Sequence, residues 1–284
     1  MISPFGAGRS ASSLTAQKSL SRTLGALDRV NERLATGIKI NRGSDNPAGM
    51  IALTQLQAEL SAIEAASQNS SRASGVINVL DSALGQVGSL LSDVNRSIVG
   101  AAGAFTDAEK KSYAMQAQEA IQAIDRIGAS TQFGSVKLLD GSTDSMSFAI
   151  SPDVSNTATI SLPTVHSANL GGAAGMINDL LGDGSANLAT GDLQQAQQIV
   201  SAAMTQIGEV RATLGSFQKN TLESNQATLS SAQVNLTKSV SLIGDTDFAV
   251  ATSEQTRLGI LSQAGVGSLL AANNNRAGML KFFG

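Results

Sequence analysis

The strongest constraint on this chain is a stripe of aliphatic residues returning at alternating steps of three and four. Leu80, Leu84, Val87, Leu91, Val94 and Ile98 carry it, and so do Leu193, Ala196, Val200, Ala203, Ile207, Val210, Leu214 and Phe217. That period, close to one helical turn, marks one face of a helix that another helix must cover. After Phe217 the stripe changes register and continues as Leu222, Leu229, Leu236 and Ile243, seven residues apart. About 50 residues at about 1.5 Å each make a rod of about 75 Å, which cannot bury its own stripe. It is expected to lie against helices drawn from 47–128.

Further helices follow from the same period and from their end signals. The first is predicted over 12–35, with a stripe at Leu20, Leu24, Leu27, Asn31 and Leu34. It should stop at Thr36-Gly37, where glycine accepts a left-handed conformation. After a loop over 38–46, Pro47 suits the first position of a second helix, with Asn46 or Asp45 as its cap. Gly100 to Gly103 should end that helix, and Thr106 with Glu109 forms a capping box for the next. The stripe of this third helix is Ala117, Ile121, Ile124 and Gly128. Asp192 is the expected cap of the long rod. A break at Gly244-Asp245 precedes a last helix over 246–272, with an apolar, small-residue face at Leu258, Leu261, Gly265 and Leu269.

The middle, 129–191, changes character. Segments 145–150 and 157–162 read as two strands joined by a turn at Pro152-Asp153. Residues 170–190 read as a loop with one short helix over 176–181. Only 3% of residues are aromatic and there is no Trp. Cores of compact domains lean on large aromatics, so this supply suits seams of Leu, Ile, Val and Ala instead. Just four prolines occur, two of them (Pro152 and Pro163) in the middle, which leaves long helices free on both sides. The expected fold class is mostly α: a long coiled-coil-like helical bundle with a small β-hairpin in the middle.

Several function classes are excluded or disfavoured. Without Cys there is no thiolate nucleophile or disulfide. His166 stands alone and reads as a surface loop residue. Asp245 and Asp247 read as turn and cap residues, since paired carboxylates need a cleft to act on a substrate. Gly171, Gly172 and Gly175 do not follow a convincing buried strand, so a phosphate cradle is disfavoured. No enzyme, metal site or cofactor is expected. Residues 76–199 carry 5 basic and 12 acidic groups, while the ends are near neutral or slightly basic. No clustered basic face suggests nucleic acid, and an acidic middle fits a solvent-facing region that repels its copies. No run of 18 apolar residues suggests a membrane span. The start, MISPFGAGRS, does not read as a secretory signal peptide.

Three stretches carry a family likeness. Residues 33–49 (RLATGIKINRGSDNPAG) resemble the signature stretch of bacterial flagellins. Residues 132–139 (QFGSVKLL) are similar to that family's Gln-Phe-Asn-Gly-x-x-Leu-Leu segment, with the Asn-Gly order altered. Residues 245–265 (DTDFAVATSEQTRLGILSQAG), continued by LLAAN at 269–273, resemble the C-terminal flagellin motif. The three occur in the family's order. The tail 276–284 (RAGMLKFFG) is unlike the family's common ending.

The resemblance implies a secreted, extracellular subunit of the bacterial flagellar filament, exported unfolded and used for swimming motility. It divides the chain into an N-terminal assembly helix and loop (1–46, inner filament layer) and the N-terminal part of a rod-like core domain (47–140). A short variable hairpin and loop region (141–191), a C-terminal core helix (192–243) and a C-terminal assembly helix (244–284, inner filament layer) follow. The usual large outer domains are missing. Implied self-assembly residues are Leu20, Leu24, Leu27, Leu34, Gly37, Asn41, Asp45, Leu258, Leu261 and Leu269. Implied partners are further copies in a helical filament, a flagellar cap protein, hook–filament junction proteins and a flagellin export chaperone. The alternative is a hook–filament junction protein, which shares the N-terminal motif; the Gln-Ala-Gly segment at 263–265 argues for the filament subunit.

Overall fold

The computed structural model describes residues 11–182 and 184–282; the expectation for residues 1–10 lies outside them. Six long helices dominate: α1 Ala11–Thr36, α2 Pro47–Ala102, α3 Asp107–Ser130, α4 Leu193–Phe217, α5 Ser224–Gly244 and α6 Phe248–Phe282. The fold is mostly α, as expected. Between α3 and α4 lie three small antiparallel pairs: β1 Gln132–Phe133 with β2 Val136–Lys137, β3 Ser145–Ala149 with β4 Thr157–Ser161, and β5 Gly171–Gly172 with β6 Gly175–Met176. The predicted hairpin is the β3–β4 pair, in which Ser145 faces Ser161 and Ala149 faces Thr157.

The helix ends follow local chemistry. Gly37 closes α1 at φ 72°. At the start of α2 it is Asn46, not Asp45, that caps: its Oδ1 accepts from the Gly49 amide at 3.0 Å. The capping box of α3 is present in both directions between Thr106 and Glu109. Asp192 accepts from the amides of Gln194 and Gln195 to start α4.

The chain divides into two compact units. In one, Ser61–Val234, Leu80, Leu84, Val87, Leu91, Val94 and Ile98 of α2 are all buried. They join Ala117, Ile121 and Ile124 of α3 and Ala196, Val200, Ala203 and Ile207 of α4 in a single apolar cluster. α4 runs antiparallel to α2. Arg211 grips Asp81 with two hydrogen bonds, of 2.8 and 3.3 Å, and further along Gln226 reaches Ser67.

Two features of this unit depart from expectation. Residues 170–190, expected as a loop with one short helix over 176–181, bury Leu170, Ile177, Leu180, Ala186 and Leu188 in the core, and the short helix shrinks to a 3-10 turn, Ile177–Leu180. Stray single Leu and Ile residues carry no period, so their burial left no pattern in the sequence. The register change after Phe217 is made by a π-helical turn, Gln218–Glu223. Its wider i→i+5 geometry absorbs one extra residue, so Leu222 stays buried in the same cluster as Leu214.

Three groups of chemically suggestive residues have local structural roles. His166 is half exposed, its Nδ1 3.1 Å from Asp125 Oδ1, and Asp125 also accepts from the Ser167 amide at 2.7 Å. Asp125 thus fastens this loop to α3. Gly171 and Gly175 sit in a hairpin too tight for a side chain: a Cβ on Gly171 would lie 2.3 Å from the Gly175 carbonyl oxygen. Asp247 caps α6 through the Ala249 and Val250 amides.

Candidate self-assembly surface

The second compact unit holds both ends of the described chain, 11–60 and 235–282. Its two connecting loops are joined. Ile38 and Asp245 form an antiparallel bridge, the Lys39 amide donates to the Gly244 carbonyl at 2.6 Å, and the Thr246 amide donates to the Gly37 carbonyl at 2.9 Å. Gly244 also lets α2 come close, since a Cβ there would be 3.2 Å from Leu53. The loop after α1 is held by its own polar groups. Asn41 Nδ2 donates to the Ile38 carbonyl at 2.8 Å. The Arg42 amide donates to the Asp45 carboxylate at 3.0 Å, while the Asp45 amide donates back to the Arg42 carbonyl. Arg42 pairs with Glu32 on α1 at 3.0 Å. Gly37, Asn41 and Asp45 therefore all shape one turn.

From this junction α1 and α6 pair along their length. Leu20 lies against Gly265, and further along Asn31 accepts from Gln255 Nε2 at 2.8 Å. As residue number rises on α1 it falls on α6, so the pair is antiparallel. Its buried cluster is Val30, Ala251 and Leu258, with Ala26, Leu27 and Leu34 partly buried against it. Gly265 has no side chain where Leu20 enters: a Cβ would be 3.2 Å from Leu20 Cδ1.

The implied site residues thus fall into two groups. Leu20, Leu27, Leu34, Leu258 and Leu269 are wholly or partly covered, while Leu24 is 43% exposed and Leu261 44% exposed. The seam of α1 is phased as Leu20, Thr23, Leu27, Val30 and Leu34 rather than through Leu24 and Asn31. Both sets alternate steps of three and four, so periodicity alone could not choose between them. On α6 the buried Ala251 escaped the sequence reading, because a single Ala in a helical run has no distinctive signal.

What remains uncovered is extensive. Val250, Ile260, Leu261, Val266 and Leu270 on α6, with Leu14 and Leu24 on α1, are exposed apolar side chains. At about 100° per residue, Leu261 and Val266 flank the α6 seam on opposite sides and Ile260 lies roughly opposite Leu258. α6 therefore carries apolar side chains on more than one side, the pattern of a helix covered by more than one neighbour. On α6 one charged pair is neutralised in place, Arg257 with Glu254. Hydrogen bonding from Arg257 holds the Glu254 carboxyl below its usual range, and the same pair raises Arg257. Among the described residues no three metal-ligating side chains come together, and no helix is long and apolar enough to cross a membrane.

Comparison with known proteins places this arrangement. Residues 9–144 match the family description "Bacterial flagellin N-terminal helical region", and residues 197–283 match "Bacterial flagellin C-terminal helical region". The chain is 30% identical over 272 residues to a flagellin of Listeria monocytogenes, covering 92% of this chain and 93% of that one. It is 29% identical over 276 residues to a flagellin of Bacillus subtilis, covering 88% and 90%. A solved structure described as a flagellar hook-associated protein, from Vibrio parahaemolyticus, superposes with a TM-score of 0.60 at 15% identity, over 70% of this chain and 99% of that one. At that identity the likeness concerns the fold alone.

Proposed function

The chain belongs to the bacterial flagellin family, and from that premise we propose how its own residues do the family's work. It is a structural, non-enzymatic subunit of the extracellular flagellar filament, and its function is to polymerise. A junction protein is not favoured, because curated relatives spanning about nine-tenths of both chains are flagellins.

In our reading 1–46 and 244–284 are the assembly segments, and 47–140 with 192–243 form the rod that carries the short 141–191 region. The single observation behind this is the α1–α6 pair, whose one narrow seam leaves apolar side chains standing round the rest of α6. Leu20, Leu27, Leu34, Leu258 and Leu269 hold the pair together. Leu24 and Leu261 meet neighbouring copies. Gly37, Asn41 and Asp45 keep the turn that joins the pair to α2 in a shape a neighbour can pack on. The cap protein, hook–filament junction proteins and an export chaperone are further proposed partners, on the family resemblance.

Folding of the two end segments is then coupled to assembly, since a single copy cannot cover them. Removal of 1–46 and 244–284 tests this. The shortened chain is expected to stay soluble, to melt cooperatively and to form no fibres by electron microscopy after salt addition, while the full chain forms long filaments. Filaments from the shortened chain would overturn the assignment.

A further inference from the structure

An aspartate followed by glycine is chemically labile, because the glycine amide nitrogen, unshielded by a side chain, can attack the aspartate Cγ. The chain has two such pairs, Asp140-Gly141 and Asp183-Gly184, each followed by Ser. Local sequence ranks them equal, but the fold treats their glycines differently. The Gly184 amide donates to the Leu181 carbonyl at 3.1 Å. Backbone also crowds it, since a Cβ on Gly184 would lie 1.9 Å from the Asp179 carbonyl oxygen. Gly141 is exposed at φ 79°, a conformation suited to glycine. Among the described residues its amide donates to no backbone carbonyl.

Asp140 is held by Ser142. Its Oδ1 accepts from the Ser142 hydroxyl at 2.6 Å and from the Ser142 amide at 2.9 Å. Hydrogen bonds to a carboxylate favour the ionised form, and the Ser142 hydroxyl, then its amide, keep the Asp140 carboxyl below its usual range. An ionised carboxylate is a poor electrophile, so these bonds oppose attack by the Gly141 nitrogen. The chain on either side is tightly placed. Leu138 and Leu139 are buried, and the Leu139 carbonyl accepts from the Val165 amide at 2.8 Å. Gly141 abuts Thr164, where a Cβ would lie 2.8 Å from Oγ1, and the Val165 carbonyl faces Gly128 of α3. Backbone packed in this way has no slack for an additional main-chain atom.

We propose that Asp140-Gly141 is a site of spontaneous main-chain isomerisation, restrained by Ser142, whose product loosens the Leu139–Val165 contact behind α3. The Gly141 nitrogen bonds to Asp140 Cγ, and its proton leaves with a carboxyl oxygen as water, which closes a five-membered succinimide. Water then opens the ring. When it breaks the bond between the nitrogen and the former main-chain carbonyl, that carbonyl becomes the free carboxylate. The chain now runs through Cβ and Cγ, one atom longer, as isoaspartate. Only water leaves and returns, so no oxidant, reductant or cofactor is required.

Peptide mapping of the full-length protein aged at neutral pH tests this, with mass-spectrometric fragmentation that separates aspartate from isoaspartate. Isoaspartate should accumulate at position 140 at least threefold faster than at position 183. In urea, where the fold no longer distinguishes the glycines, the two rates should converge. Ser142→Ala, at an exposed position, should raise the rate at 140 at least threefold and leave that at 183 unchanged. In the isomerised fraction the Val165 amide should exchange its hydrogen at least threefold faster than in the unmodified protein. No isoaspartate at 140 in the folded protein, equal rates at 140 and 183, or a preference unchanged by urea would overturn the assignment of the site. A Ser142→Ala rate at or below the wild type would refute the restraint, and unaltered exchange at Val165 would refute the loosening behind α3.

Discussion

Leu24 and Leu27 lie three residues apart on α1, and their surroundings differ. Leu27 packs beside Val30, Ala251 and Leu258, whereas Leu24 is 43% exposed. Burying a leucine is worth about 1.5–3 kcal/mol, so a carboxylate at either position is costly, but at different steps. Leu24→Asp should leave the α1–α6 seam intact and raise the lowest concentration that sustains polymerisation by about tenfold or more. Sedimentation of assembled material, with circular dichroism as the control for folding, measures this. Leu27→Asp should also block assembly, by opening the seam, and should leave the melting of the 61–234 unit unchanged. If Leu24→Asp assembles like the wild type, Leu24 is not an intersubunit residue.

At the scale of the elements, α3 is backed by chain that carries no periodic pattern. Gly128 meets the backbone at Val165, where a Cβ would lie 2.0 Å from the carbonyl oxygen. The Val165 amide in turn donates to the Leu139 carbonyl at 2.8 Å. Backbone on both sides cannot yield cheaply, so Gly128→Ala should cost about 2 kcal/mol. The thermal midpoint of the 61–234 unit should fall by roughly 5 °C, and calorimetry would detect it. An unchanged midpoint would mean that the segment at Val165 shifts without loss. Gly128 also shows how far sequence reaches. Its place on the α3 stripe was legible, because it continues Ala117, Ile121 and Ile124 at helical spacing. That it admits a neighbouring backbone was not, because the partner is an aperiodic segment nearly 40 residues away. The helix ends at Gly37, Pro47, Thr106 and Asp192 were legible for the opposite reason: each depends on its own few neighbours. The phase of α1 lies between these cases. Its period is local, but the choice of Val30 over Asn31 for the seam belongs to α6.

At the scale of the whole molecule, the two ends and the middle use their apolar residues differently. The Ser61–Val234 unit closes its aliphatic stripes on one another. Among the described residues, the unit made from both ends has a seam of three buried apolar residues between helices of 26 and 35 residues. Its family motifs at 33–49 and 245–265 were readable in the sequence, and so was the need for a distant partner. Which leucines serve the pair and which remain for other copies required the structure. The account therefore turns on what covers α1 and α6. Amide hydrogen exchange of 11–36 and 248–282, measured in dilute monomer and again in sedimented filaments, tests it most directly. Fast exchange in the monomer and strong protection in the filament is the predicted result. Equal protection in dilute monomer, from a chain that forms no filaments, would contradict it.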